Sequence, residues 1–141
     1  MHATPRPVEI RLPRTGDRLN LAVEDQDDES CVIAWMDSDR DGKCEPCEFD
    51  PDEARHVAQT LLDLLRSMEG AATIAVPRPS DRRLILAVER EGDEGYLTAR
   101  LGNRSSDGSY EACEFNPEDV RLVAQALREL AGVADEMRNR A

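Results

Sequence analysis

Histidine is nearly missing from the 141 residues, with only His2 and His56, and lysine is represented by Lys43 alone. So little imidazole removes most acid–base chemistry near neutral pH, and no serine or cysteine stands in a recognisable nucleophilic relay with either ring. Aromatic residues make up 4% of the chain and tryptophan occurs once, as Trp35. No apolar run approaches the ~18 residues of a membrane span. The opening segment MHATPRPVEIRLPRT lacks the apolar stretch of a secretory leader, so a cytoplasmic protein is expected. Positive charge is scarce as well: 18 basic against 30 acidic side chains leave a net charge of −12. Nucleic-acid phosphates would be repelled by such a surface, which argues against direct nucleic-acid binding. No glycine-rich phosphate loop is present, and Gly92 to Gly95 reads as a polar hairpin tip. What remains, 40% hydrophobic and 34% charged, suits a soluble folded domain of modest core.

The chain repeats itself. Cys47-Glu48-Phe49-Asp50-Pro51 through Gln59 recurs as Cys113-Glu114-Phe115-Asn116-Pro117 through Gln125, a shift of 66. Leu21-Ala22-Val23-Glu24 recurs as Leu86-Ala87-Val88-Glu89 at a shift of 65, and Pro13-Arg14 as Pro77-Arg78 at 64. Small length changes in loops account for the drift. The division is repeat 1 at 8–70 and repeat 2 at 71–137, packed as one compact domain because a unit of ~65 residues is marginal alone.

Each repeat reads as strands followed by a helix. Strands are expected at 18–24 and 82–89, at 31–36 and 96–101, and at 43–49 and 109–115, with turns at Asp41-Gly42 and Asp107-Gly108. Asp50 or Asn116 is placed to cap a helix whose first position is Pro51 or Pro117, with acids in the first turn. An apolar stripe then runs through Ala54, Val57, Ala58, Leu61, Leu62, Leu65 and Met68. Its counterpart runs from Val120 and Val123 to Ala134 and Met137. The expected fold class is α+β: a tandem duplication of a three-stranded antiparallel sheet covered by one helix, in a pseudo-two-fold arrangement.

Period-two reading assigns faces. With Met36 near Lys43, the residues Val32, Ala34, Met36, Cys47 and Phe49 share a core face, as do Leu97, Ala99, Leu101, Cys113 and Phe115. The opposite face of repeat 1 carries Cys31, Ile33, Trp35, Cys44 and Pro46; that of repeat 2 is more polar, with Tyr96, Thr98, Arg100, Tyr110 and Ala112. Two uses of the apolar face are open: contact with a partner through Ile33, Trp35, Cys44 and Pro46, or packing of one repeat on the other.

Asp37-Ser38-Asp39-Arg40-Asp41-Gly42-Lys43 through Glu48-Phe49 resembles the calcium loop of EF-hand proteins, without its flanking helices. Oxygen ligands fall at positions 1, 3, 5 and 12, with glycine at 6. The resemblance implies Asp37, Asp39 and Asp41 as single-oxygen ligands, the Lys43 carbonyl as another, and Glu48 as a two-oxygen ligand for calcium. Repeat 2 keeps a weaker version in Asn103, Ser105, Asp107, Gly108 and Glu114.

Cys44-Glu45-Pro46-Cys47 carries the spacing of a redox dithiol but stands in a strand and not at a helix start. A zinc site from Cys31, Cys44, Cys47 and Cys113 has one close pair where tetrahedral sites usually have two. Cys47 and Cys113 read better as core fillers. No catalytic residue is assigned, no cofactor other than calcium is called for, and an enzyme is not expected.

Trp35–Leu62, and more weakly Arg100–Leu127, resemble small actinobacterial strand–turn–strand–helix proteins of unassigned biochemistry, some of them developmental regulators. That resemblance implies a non-enzymatic regulatory module acting through contacts with another protein or a second copy of itself. Charge points to the same part of the chain: Glu24–Glu53 holds 13 acids and 2 bases, a balance of −11. An alternative use of that acidity is imitation of nucleic acid, to occupy a basic groove of a partner protein.

Overall fold

Alternating apolar residues with short polar turns build two hairpin-based sheets, and each repeat closes on a helix. A computed structural model describes residues 7–14, 16–26, 29–38, 42–43, 47–76, 82–103 and 113–140. In chain order the elements are β1 (Val8–Leu12), β2 (Asp17–Gln26), β3 (Glu29–Ser38), β4 (Gly42–Lys43), β5 (Cys47–Phe49) and α1 (Pro51–Ser67). Then follow β6 (Ala71–Ala75), β7 (Arg82–Glu91), β8 (Glu94–Asn103), β9 (Cys113–Phe115) and α2 (Pro117–Arg140). The fold is α+β. One antiparallel sheet runs β1-β2-β3 with β4 and β5 both on the far edge of β3, and the other runs β6-β7-β8-β9.

The first sheet therefore has five strands and the second four, against the three expected in each; the first counts β4 and β5 separately where one strand was expected. The additional strands are β1 and β6, which precede each repeat's long hairpin. Val8, Ile10 and Leu12 alternate with Glu9 and Arg11, but five residues between Pro7 and Pro13 give only a short pattern. β6 reads Ala-Ala-Thr-Ile-Ala, where small residues hide the period altogether. Paired to β2 and β7, they bury Ile10 and Leu12 in one sheet and Ile74 in the other, with Val76 just past β6 also buried.

The expected third strand of repeat 1 is interrupted. Asp37 pairs with Lys43, whereas Ala34 pairs with Cys47. The register at Lys43 is thus one residue from the expected Met36–Lys43 approach, and at Cys47 it has moved by one more. The shift restores parity by Cys47: Val32, Cys47 and Phe49 are buried on the core face, and Ala34 packs against them.

Proline at the first helical position sets both helix starts. The N-cap carboxylate of Asp50 makes no capping bond to α1 and instead accepts a hydrogen bond from Arg138 at 3.2 Å. At α2 the cap runs backwards, with the Asn116 N–H donating to Asp119 Oδ2 at 3.0 Å, which explains why Asp119 is buried. Helix α1 ends with Met68 at φ 53, its N–H donating to Leu64 O. The Met68 side chain lies over Gly95, with its terminal methyl in the space a Cβ there would take; a side chain at 95 would have to displace that flexible end.

The helices pack on each other in antiparallel sense, with Arg55 bonded to Asp135 and Arg128 donating to Gln59 at 2.7 Å. Helix α2 does not simply cover its own repeat. At 24 residues against 17 it is the longer helix, and it lies along β1, β2 and β3 of the first sheet while touching β8 and β9 of the second. Helix α1 touches β3 and β5 on one side and β6 and β7 on the other. The inner face of the first sheet, with Leu12, Leu19, Leu21, Val23 and Val32 buried, belongs to a sheet that both helices touch. One continuous apolar cluster consequently includes residues from both repeats, from Ile10 to Ala134.

Candidate functional site

The outer face of the first sheet follows from the ladder. With Val32 and Ala34 turned to the core, Cys31, Ile33 and Trp35 face outward from β3. Their neighbours on β2 are Glu24, Ala22 and Asn20, and Glu48 of β5 stands opposite Ile33. Asn20 and Cys31 are buried; Ala22, Glu24, Ile33, Trp35 and Glu48 are half-buried. Apolar side chains thus alternate with two carboxylates on one surface, with Trp35 near the acidic end of β3. Cys44 and Pro46, the other two expected contact residues, lie outside the described residues.

Of the expected calcium ligands, Asp37 belongs to the end of β3 and Lys43 to β4, paired to each other in the ladder. Asp39 and Asp41 lie outside the described residues. An EF-hand loop is entered from a helix, whereas this segment is entered from strand β3. Glu48 pairs with Ile33, four residues back from Asp37 along β3, or roughly 13 Å at 3.3 Å per residue. Among the described residues no group of three or more His, Cys, Asp and Glu side chains is placed to hold a metal ion.

The cysteines separate. Cys31 is on the outer face and Cys47 on the core face of the same sheet, so one tetrahedral ion cannot take both. Cys47 joins the core cluster and Cys113 packs against it. No disulfide joins Cys31, Cys47 and Cys113 to one another. His56 is exposed on α1, and its backbone oxygen accepts from the Thr60 hydroxyl at 2.8 Å.

A second cluster had no counterpart among the expectations. Arg14, in the turn after β1, reaches the outer face of the other sheet. It donates to Glu91 at 2.7 Å and to Glu114 at 3.3 Å, and its guanidinium lies 3.9 Å from the centroid of the Tyr96 ring. Desolvation lowers the guanidinium pKa, but the hydrogen bonds to Glu91 and Glu114 outweigh it and hold Arg14 above its ordinary value. Arg14 therefore ties repeat 1 to repeat 2 through one charge-assisted bond to each of two carboxylates and a stacked ring. The signal available beforehand was the recurrence of Pro13-Arg14 as Pro77-Arg78; residues 77–81 lie outside the described residues. The one large hydrophobic residue widely exposed among the described residues is Leu122 on α2, at 53%.

No helix among the described residues is long and apolar enough to cross a membrane. Comparison of the chain with protein-family models and with curated proteins finds no match, so the functional reading rests on these residues themselves.

Proposed function

We propose that the chain is a non-enzymatic cytoplasmic interaction module that binds another protein through the acidic, Trp-containing surface of repeat 1. The observation that carries this reading is the outer face of the first sheet. Ile33 stands half-buried between Ala22 and Glu48, and Trp35, next on the same face, stands half-buried beside Asn20, in the segment where 13 acids meet 2 bases. Apolar anchors give affinity when desolvated, and surrounding carboxylates select a partner carrying positive charge. In this reading Cys44 and Pro46 extend the contact surface. The two βα units are related by a pseudo-two-fold axis and form one compact domain, in which repeat 2 serves as scaffold.

The test compares the whole chain with an Ile33→Thr/Trp35→Thr variant as bait for host proteins, with folding checked by circular dichroism. A protein bound by the natural chain should be purified, and its affinity should fall at least tenfold for the variant. Equal affinity of a folded variant contradicts the assignment. If the variant does not fold, solvent quenching of Trp35 in the natural chain, with and without the purified partner, decides the same point.

The spacing of Asp37, Asp39, Asp41, Gly42 and Glu48 favours a second reading, calcium binding by this segment. Calorimetry on the metal-free chain checks it: no heat at millimolar calcium, or equal heat from Asp37→Ala/Asp41→Ala, contradicts it. Imitation of nucleic acid is a special case of the main reading. It predicts capture of a nucleic-acid-binding protein that weakens steeply with salt.

A further inference from the structure

Strand β6 ends its sheet, and among the described residues its only ladder partner is β7. The phase of that ladder is fixed by the bond from Val88 N–H to Gly70 O at 3.0 Å. Gly70 and Val88 form a hydrogen-bonded pair in line with Ala71↔Ala87, so Ala72 and Ile74 also bond toward β7. The N–H and C=O groups of Ala71, Thr73 and Ala75 therefore point off the sheet edge. The same three residues are exposed, whereas Ile74 and Val76 are buried beneath them.

From this edge we propose that two copies of the chain associate by pairing β6 with β6 in antiparallel sense about Thr73, joining two four-stranded sheets into one of eight. Thr73 meets its own copy at the axis, and Ala71 meets Ala75 of the second copy. These are the residues whose backbone groups face outward, so each copy donates from three N–H groups and accepts at three C=O groups in the correct phase.

Three observations select a second copy as the occupant. First, β6 has none of the devices that keep sheet edges apart. It contains no charge, no proline and no bulge across Ala71–Ala75. Its counterpart β1 exposes Glu9 and Arg11 and is approached by β9, with Arg14 clasped onto the neighbouring sheet. Second, foreign peptides that add to an edge are chosen by pockets for alternate side chains, and Ala71, Thr73 and Ala75 are too small to shape them. An identical strand needs no pockets. Third, charge permits the approach. Residues 71–141 carry −3 against −9 for 1–70, and residues 70–76 carry none, so two copies of an acidic chain meet at its least charged edge. The surface lies in repeat 2 and is independent of the Trp35 face.

Sedimentation equilibrium on the whole chain, up to about 1 mM protein, tests the pairing. The natural chain should approach twice its 15.7 kDa mass. Thr73→Lys sets two like charges face to face at the axis and should raise the dissociation constant at least tenfold. Thr73→Val, with its strand-favouring side chain, should keep the dimer. Ala71→Lys gives a second reading should Thr73→Lys fail to fold. A natural chain that stays monomeric over the whole range overturns the proposal, and so does equal association by the lysine variants. Dilution should leave Trp35 emission unchanged. An emission change together with an intact Thr73→Lys dimer would place self-contact on repeat 1 and also overturn it.

Discussion

Single residues carry much of the connection between the repeats. Arg138, near the end of α2, donates to Ser30 O of β3 at 2.8 Å and to Asp50 at the start of α1 at 3.2 Å. Arg138→Met should therefore lower stability by about 1–2 kcal/mol in urea unfolding, as a charge-assisted bond to a buried segment is lost. Arg55 is held above the ordinary guanidinium pKa first by its hydrogen bond to Asp135. A raised basic group gives its full contribution below its unfolded value, far above neutral, and loses it only as pH rises through the folded one. Its contribution should thus stay constant with pH through the neutral range, and since both side chains are 41% exposed, Arg55→Met should cost less than about 1 kcal/mol. Two glycines predict opposite signs. Gly70 has φ +99, so Gly70→Ala should cost about 1–2 kcal/mol, whereas Gly132 lies in α2 with open space around it, and Gly132→Ala should gain about 0.5–1 kcal/mol. Thermal unfolding of the two variants side by side checks both. These partners were not legible in the sequence. Asp50 looks like a helix cap, yet Arg138, 88 positions away, takes its carboxylate.

At the scale of elements, the sequence shows most of what is regular. The hairpins β2–β3 and β7–β8 lie where apolar alternation and polar turns place them, though each strand runs one or more residues beyond the expected ends. The stripe from Val120 to Ala134 is buried as the helical period requires, with Ala126 added; on α1 Ala54, Val57, Ala58 and Leu61 are buried with Leu64, whereas Leu62, Leu65 and Met68 are half-buried. Strands β1 and β6 escaped because they are short and, in β6, built from side chains too small to mark a period. Their proper signal is register: Val8 and Ala72 pair with Leu21 and Leu86, which are themselves equivalent by the repeat. The acidic segment was legible as a turn between strands, while its chemistry depends on Asp39 and Asp41, outside the described residues.

At the scale of the molecule, local periodicity cannot show that a helix crosses to its neighbour's sheet. Helix α2 lies along β1, β2 and β3 of the first sheet, and α1 touches strands of both sheets. Unfolding should follow from this as one cooperative transition shared by both repeats. Leu127→Ala, in α2, should cost about 2–5 kcal/mol and shift signals from both sheets together. Two separate transitions in differential scanning calorimetry would contradict a shared core. The acidity, which looks like a property of the whole chain when only composition is counted, is concentrated in repeat 1, the repeat that contains Trp35. If the proposed contact is made by the Trp35 face, the lone tryptophan reports on it without a label. Trp35 emission should shift to shorter wavelength and become protected from acrylamide as the purified partner saturates the chain. Saturable binding that leaves Trp35 emission and quenching unchanged would contradict the account.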